Sequence, residues 1–471
     1  MMLYVSTRGE APALGFSDAV LAGLARDGGL YWPEIWPKLD RETIAGFAGR
    51  SYADVASTVI GPFADDVEDA AFAGMVAESY AVFRHKAVCP LVQVADNIFV
   101  LELFHGPTLA FKDVAMQLLG RLMDHVLEKR GLRATIVGAT SGDTGSAAIE
   151  AFRGLKRVDV FILYPHGRVS EVQRRQMTTV GGENVHAIAL EGTFDDCQAI
   201  VKGMFNHLAF RDAMKLSGVN SINWARIVAQ AVYYFSAATA LGAPHREVSF
   251  SVPTGNFGDV LAGYVAKRMG LPIRTLNVAT NANDILARTL ATGRYEVTGV
   301  MPTSSPSMDI QISSNFERLL FDAYGRDGAA IRGLMERLNQ SKSFTIEPAP
   351  LAKIRDEFAA SAVSEPQVAA VMKRTLAETG YLLDPHTAVG LGSAEEVVAR
   401  DPSTPMVVLA TAHPAKFPDA VEAATGIRPV LPPHMADLYD RTERFTVLPN
   451  DRTAIERFIR ERGRAAGDAA A

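Results

Sequence analysis

Cysteine is nearly absent: the 471-residue chain carries two, Cys89 and Cys197, far apart. That excludes a disulfide scaffold and a cysteine-rich metal site, and it fits a reducing compartment, so a cytoplasmic protein is expected. The ten histidines form neither HExxH nor a Cys/His cluster, so no metal is expected. Excess positive charge is missing too. With 47 basic against 53 acidic residues the net charge is -6, and nucleic acid is not an expected partner. Long apolar runs are absent. The most apolar helix candidate, residues 227–241, is interrupted by Gln230, Ser236 and Thr239 and is too short to span a bilayer comfortably, so it reads as a buried core helix. The first ten residues have no apolar core and already carry Glu10, so neither a signal peptide nor membrane association is expected. What remains, at 48% apolar and 21% charged content, is a globular chain of two or three domains.

The first 90 or so residues read mostly helical, with helical spacing over 18–24 and 70–83 around a Gly28-Gly29 break. From residue 134 the pattern changes to strand (134–137), polar glycine loop (138–145), helix (146–152) and strand (158–163). The unit recurs as strand 248–252, loop 253–259, helix 260–269 and strand 273–278. A third strand, 406–410, runs into Thr411-Ala412-His413-Pro414. Such alternation predicts an α/β architecture with largely parallel sheets and a site at the strand C-termini. Residues 298–314, rich in Ser, Thr and Pro, read as a long loop or mobile lid. Residues 330–378 read as mainly helical, and 462–471 as a frayed tail.

Three motifs carry chemistry. The first is Phe104-His105-Gly106-Pro107-Thr108-Leu109-Ala110-Phe111-Lys112-Asp113, which sets a lysine in apolar, turn-rich surroundings. Two readings stand: a helix-start lysine paired with Asp113, or an amine whose shifted pKa suits Schiff-base chemistry. The second is the pair of glycine loops. Each opens a helix and aims backbone N–H groups and the helix dipole at one point, so 255–258 reads as a phosphate cradle and 140–145 as a second anion site, with a plain βα turn the alternative for each. Neither is a Walker A loop. The third is Asn220-Ser221-Ile222-Asn223-Trp224-Ala225-Arg226. Its polar residues cap a helix, while Arg226 opposes the helix dipole unless it holds an anion; an ordinary cap with a solvated arginine is the alternative.

Five blocks in order resemble the threonine synthase family. They are Tyr4-Val5-Ser6-Thr7-Arg8-Gly9 with Asp27-Gly28-Gly29-Leu30-Tyr31, the lysine motif, Ala139 through Gly145, Pro253 through Asp259, and Thr411-Ala412-His413-Pro414-Ala415-Lys416-Phe417. The resemblance implies a fold-type II pyridoxal-phosphate enzyme, tryptophan synthase β-like, with two sheet-containing domains, a helical N-terminal domain and a helical C-terminal insertion. It divides the chain at 1–95, 96–450 and 451–471. Within the middle part, a small α/β unit spans about 110–200, a large one about 201–320 and 400–450, and a helical subdomain about 321–399.

The implied reaction converts O-phospho-L-homoserine and water to L-threonine and phosphate. A phospho-lyase or serine/threonine dehydratase giving a 2-oxo acid is the rival. Lys112 is implied as the cofactor-linked, proton-shuttling residue. Gly255, Asn256, Phe257, Gly258 and Asp259 are implied to hold the cofactor phosphate, Thr411 its pyridine nitrogen and Asp143 its hydroxyl. Asp143 replaces the asparagine of many relatives, as in the longer bacterial and fungal type. Thr140, Ser141 and Thr144 are implied for the substrate carboxylate, and Ser221, Asn223, Arg226 and Lys416 for its phosphate. A monomer or homodimer without S-adenosylmethionine activation is expected.

Overall fold

A computed structural model describes residues 1–465. Two sheets carry the architecture. The larger has the strand order Phe358–Ala362, Ile273–Thr280, Val248–Pro253, Met406–Ala410, Ile98–Glu102, Leu91–Ala95, parallel except for the antiparallel last pair. The smaller is parallel throughout: Thr446–Pro449, Val185–Glu191, Val158–Pro165, Ala134–Ala139, Leu216–Ser217. Their central strands, Val248–Pro253 and Val158–Pro165, are buried at every position. Helices covering both faces produce that pattern, and it places the functional loops beyond the strand C-termini.

The α/β reading of the sequence holds, but the sheets cross the expected segment limits. Leu91–Ala95, on the N-terminal side of residue 95, pairs with Ile98–Glu102 in the large sheet. Phe358–Ala362, inside the expected helical subdomain, is that sheet's far edge, and Ser343–Thr345 pairs with Arg294–Glu296. Leu216–Ser217 and Thr446–Pro449 belong to the small sheet, not the large one. The C-terminal helix forms over Arg452–Arg462, while the expected fraying falls mostly on 466–471, outside the described residues.

The candidate core helix is Trp224–Ala240, buried along nearly its whole length. The N-terminal region clamps its first turn. Trp224 packs edge-on against Trp32 with ring centroids 5.5 Å apart, and Tyr4, Trp36 and Phe63 complete the cluster. Asn223 caps the helix by accepting the Ala225 N–H at 3.1 Å and donates to the Val20 carbonyl at 2.8 Å. The aromatic cluster thus fixes where Arg226, in the same first turn, emerges. No helix among the described residues is long and apolar enough to cross a membrane.

Candidate active site

Lys112 is the first residue of the helix Lys112–Lys129 and is 8% exposed. The preceding loop is pinned to the large sheet by the Phe111 N–H, which donates to the Thr411 carbonyl at 2.9 Å. Asp113 is not the lysine's partner. Its carboxylate accepts the Thr108 N–H and hydroxyl, both at 2.7 Å, and a Cβ on Gly106 would lie 2.5 Å from it, so the Gly-Pro-Thr turn closes on Asp113.

The partner of Lys112 is Asp143, the first residue of the helix Asp143–Phe152 above the small sheet. Lys112 Nζ lies 3.3 Å from Asp143 Oδ2, and Lys416 Nζ lies 2.9 Å from Oδ1. Gln173 Nε2 donates to Oδ1 at 2.8 Å and the Ser307 hydroxyl to Oδ2 at 3.2 Å. Burial alone would push the Asp143 carboxyl up, but the two ammonium groups and Gln173 outweigh it and hold the group well below the usual range. Burial lowers the Lys112 pKa, helped by Lys416 and Arg226 and opposed by Asp143. The result is a carboxylate held in its charged form beside a lysine whose ammonium gives up its proton more readily than a solvated one.

Around this pair, four loops meet. Gly142 lies at φ 143°, and a Cβ there would sit 2.4 Å from Gln173, so only glycine leaves room for the amide that reaches Asp143. Thr140 Oγ1 accepts the Gly142 and Gly145 N–H groups, both at 2.9 Å, and so shapes the loop itself. Ser141 and Thr144 are half-buried at its rim. Across the cleft, Phe257 lies in the left-handed region at φ 62° and opens the helix Gly258–Met269. Its ring packs on Phe316 and Phe358, so the cradle is a backbone device.

Asp259 faces away from an anion role. Tyr233 and Tyr234 donate to its Oδ1, while Oδ2 has no partner among the described residues. Burial pushes the carboxyl up to about 7. Its backbone N–H fits a phosphate; its side chain does not. Asn256 is exposed and its carbonyl accepts the Asn315 N–H, leaving its amide side chain at the surface. Gly255 packs against the turn Pro306–Met308, where a Cβ would lie 2.9 Å from the Ser307 carbonyl.

Arg226 is 4% exposed. Its Nη1 donates to the Val219 carbonyl at 3.1 Å, and its Nε has no partner among the described residues. Burial lowers it to about 10, and it acts on Lys112 electrostatically. The solvated-arginine reading therefore fails. A buried guanidinium without a carboxylate is costly, and an anion satisfies it. Ser221 lies beside the cradle, its carbonyl 3.9 Å from where a Gly258 Cβ would stand.

Two residues expected at the substrate phosphate have other duties. Asn223 is the helix cap, with both ends of its amide engaged. Lys416 is fully buried, donating to the Thr108 carbonyl at 2.7 Å and Gln176 Oε1 at 3.0 Å as well as facing Asp143. Its ammonium has three acceptors already. Those contacts make it a counter-ion for Asp143 and turn its ammonium away from solvent.

Several residues of this site escaped the sequence reading: Gln173, Ser307 and the pair Asp384–His386. Only the last had a local signal, an Asp before a Pro at a helix start. Of residues 298–314, Ser307 reaches the centre, its hydroxyl on Asp143. Asn281 donates to the Thr303 hydroxyl, the Ser305 hydroxyl and Asp309 Oδ1 at 2.8–2.9 Å, tying the segment to the end of a core strand.

The comparisons agree with this geometry. Family profiles described as Threonine synthase N terminus, Pyridoxal-phosphate dependent enzyme, and Threonine synthase, C-terminal match residues 3–80, 89–349 and 387–459. The threonine synthase of Pseudomonas aeruginosa is 56% identical over 464 residues, 98% of this chain and 99% of that one. The crystal structure of pyridoxal-phosphate-bound threonine synthase from Brucella melitensis superposes with a TM-score of 0.97 at 63% identity, covering 99% of this chain and 100% of that one. The yeast enzyme's structure gives 0.93 at 40% identity, with 98% of each chain covered. The buried lysine, its carboxylate partner and the glycine cradle fit that cofactor, and the chain belongs to the threonine synthase family of pyridoxal-phosphate-dependent enzymes.

Proposed function

We propose that the chain converts O-phospho-L-homoserine and water to L-threonine and inorganic phosphate, with Lys112 as its proton-transfer residue. The carrying observation is Arg226: a guanidinium 4% exposed, its Nε without a partner among the described residues, whose charge helps lower the Lys112 pKa. One anion, the cofactor phosphate, has its cradle at 255–259. Arg226 supports a second, the phosphate ester of the substrate.

The bound cofactor supplies an electron sink for negative charge at the substrate Cα. Lys112 Nζ takes the Cα proton and returns protons along the chain. Its burial makes it the stronger candidate base, and Asp143 holds it in place and accommodates its charge. Asp143 serves the cofactor hydroxyl, Thr411 its pyridine nitrogen, and the N–H groups of 255–259 its phosphate. Ser141, Thr144 and the loop N–H groups around Thr140 hold the substrate carboxylate. Arg226 with Ser221 grips the departing phosphate, whose growing charge is best stabilised where water is excluded.

Arg226→Ala tests the reading. Loss of a charged hydrogen-bonding partner costs about 1.5–3 kcal/mol, so kcat/KM for O-phosphohomoserine should fall about 10- to 150-fold. Without substrate, Arg226→Met should melt no lower than the parent, because a buried unpaired charge has been removed. Unchanged kinetics would take Arg226 out of the site.

A further inference from the structure

The proposed chemistry leaves unused a buried His–Asp pair that reaches the centre through two hydrogen bonds. His386 and Asp384 are 2% and 1% exposed, at the start of the helix Pro385–Arg400. Asp384 Oδ1 lies 2.9 Å from His386 Nδ1 and accepts the His386 N–H at 2.9 Å; its Oδ2 accepts the Thr387 N–H at 3.3 Å and the Thr387 hydroxyl. The Ser307 N–H donates to His386 Nε2 and so needs an acceptor there, while Asp384 Oδ1 already accepts the His386 backbone N–H; the ring proton therefore sits on Nδ1 and Nε2 presents a lone pair.

Among the described residues, that lone pair has one partner. The Ser307 N–H donates to His386 Nε2 at 3.3 Å. The Ser307 hydroxyl donates in turn to Asp143 Oδ2 at 3.2 Å, the same oxygen that Lys112 Nζ approaches at 3.3 Å. The turn has little freedom to choose another place. Its Ser307 carbonyl abuts Gly255 on one side, and the His386 ring rests on Phe417, centroids 4.8 Å apart, on the other.

We propose that His386, oriented by Asp384, is a positioning residue for this reaction: it holds the Pro306–Met308 turn closed so that Ser307 shares Asp143 Oδ2 with Lys112. A hydroxyl on Oδ2 draws off part of the carboxylate's charge, and so tempers its hold on positive charge at the lysine nitrogen. Asp384 contributes by fixing the tautomer. A ring with its proton on Nε2 would set N–H against N–H and release the turn. The inference rests on the assignment of Lys112 and Asp143 to the cofactor site.

The test is the pH titration of the holoenzyme's visible cofactor band, read without substrate, for the parent and for His386→Leu, His386→Gln and Ser307→Ala. Loss of the hydroxyl leaves Asp143 a stronger counter-charge, so the midpoint should rise by about 0.5–1 pH unit in His386→Leu and in Ser307→Ala. The His386→Leu/Ser307→Ala double variant should shift no further, because both act on one hydrogen bond. In His386→Gln, whose Oε1 replaces the lost acceptor, the midpoint should return toward the parent value. A purely structural His386 would lower melting temperature and leave the midpoint unmoved, and that result overturns the proposal. So does an unmoved midpoint in Ser307→Ala, which decides the matter if His386→Leu fails to fold. A parent band that survives in Lys112→Ala would instead sink the Lys112 assignment, and this inference with it.

Discussion

Lys416→Met removes a charge from the centre with little change in volume, and the structure says what is lost. Lys416 Nζ is fully buried, 2.9 Å from Asp143 Oδ1, and also satisfies the Thr108 carbonyl and Gln176. Removing one partner of a buried ion pair costs about 3–5 kcal/mol when the other charge is left uncompensated; Asp143 loses one of its two counter-charges but keeps Lys112 and Gln173, so a cost at the lower end, about 3 kcal/mol, is expected. The unfolding entropy, about 2.1 cal/mol/K per residue, is roughly 1 kcal/mol/K for 471 residues. The melting temperature at saturating cofactor should therefore drop by about 3 °C. Adding Asp143→Asn removes the stranded charge, so the double variant should cost less than the sum of the two singles by about 1.5 kcal/mol or more. A Lys416→Met melt within about 1 °C of the parent, or strict additivity with Asp143→Asn, would refute the counter-ion role and reopen Lys416 as a phosphate ligand.

Two other substitutions probe the cradle. Asp259 is buried with its carboxyl raised to about 7. The native state therefore holds this proton more tightly than the unfolded chain, and stability is lost as pH rises through that value. Asp259→Asn abolishes the loss, so its melting temperature relative to the parent should improve between pH 5 and 8, by about 2–3 °C; a difference constant with pH would contradict the burial argument. Gly255→Ala places a methyl 2.9 Å from the Ser307 carbonyl and 3.3 Å from Met308 Cα, both backbone. Overpacking of about 1–3 kcal/mol should raise the cofactor Kd roughly 5- to 150-fold in a titration of the apoenzyme, and an unchanged Kd would show that the turn yields freely.

The sequence discloses the parts of the site that local pattern encodes. Strand, glycine loop and helix succeed one another over 134–152 and 248–269, and the structure builds both units there. Lys112 stood out because a lysine between Phe111 and Asp113 conflicts with ordinary solvation, although its counter-charge is 31 residues away and not adjacent. Pairings that cross the fold left no local trace. Nothing near Ser307 announces Asp143, and nothing near Lys416 announces Thr108 and Gln176, because each contact exists only once two sheets and a C-terminal turn have packed. The short strands Leu216–Ser217 and Thr446–Pro449 were hidden for a related reason. Two to four residues carry no readable periodicity, and neighbouring strands decide their pairing.

The most direct test of the central claim is a product assay on the holoenzyme with O-phospho-L-homoserine as sole substrate. Threonine and inorganic phosphate should form in equal amounts, and neither should form with Lys112→Ala. A 2-oxo acid as the main product, or turnover that survives Lys112→Ala, would contradict the account.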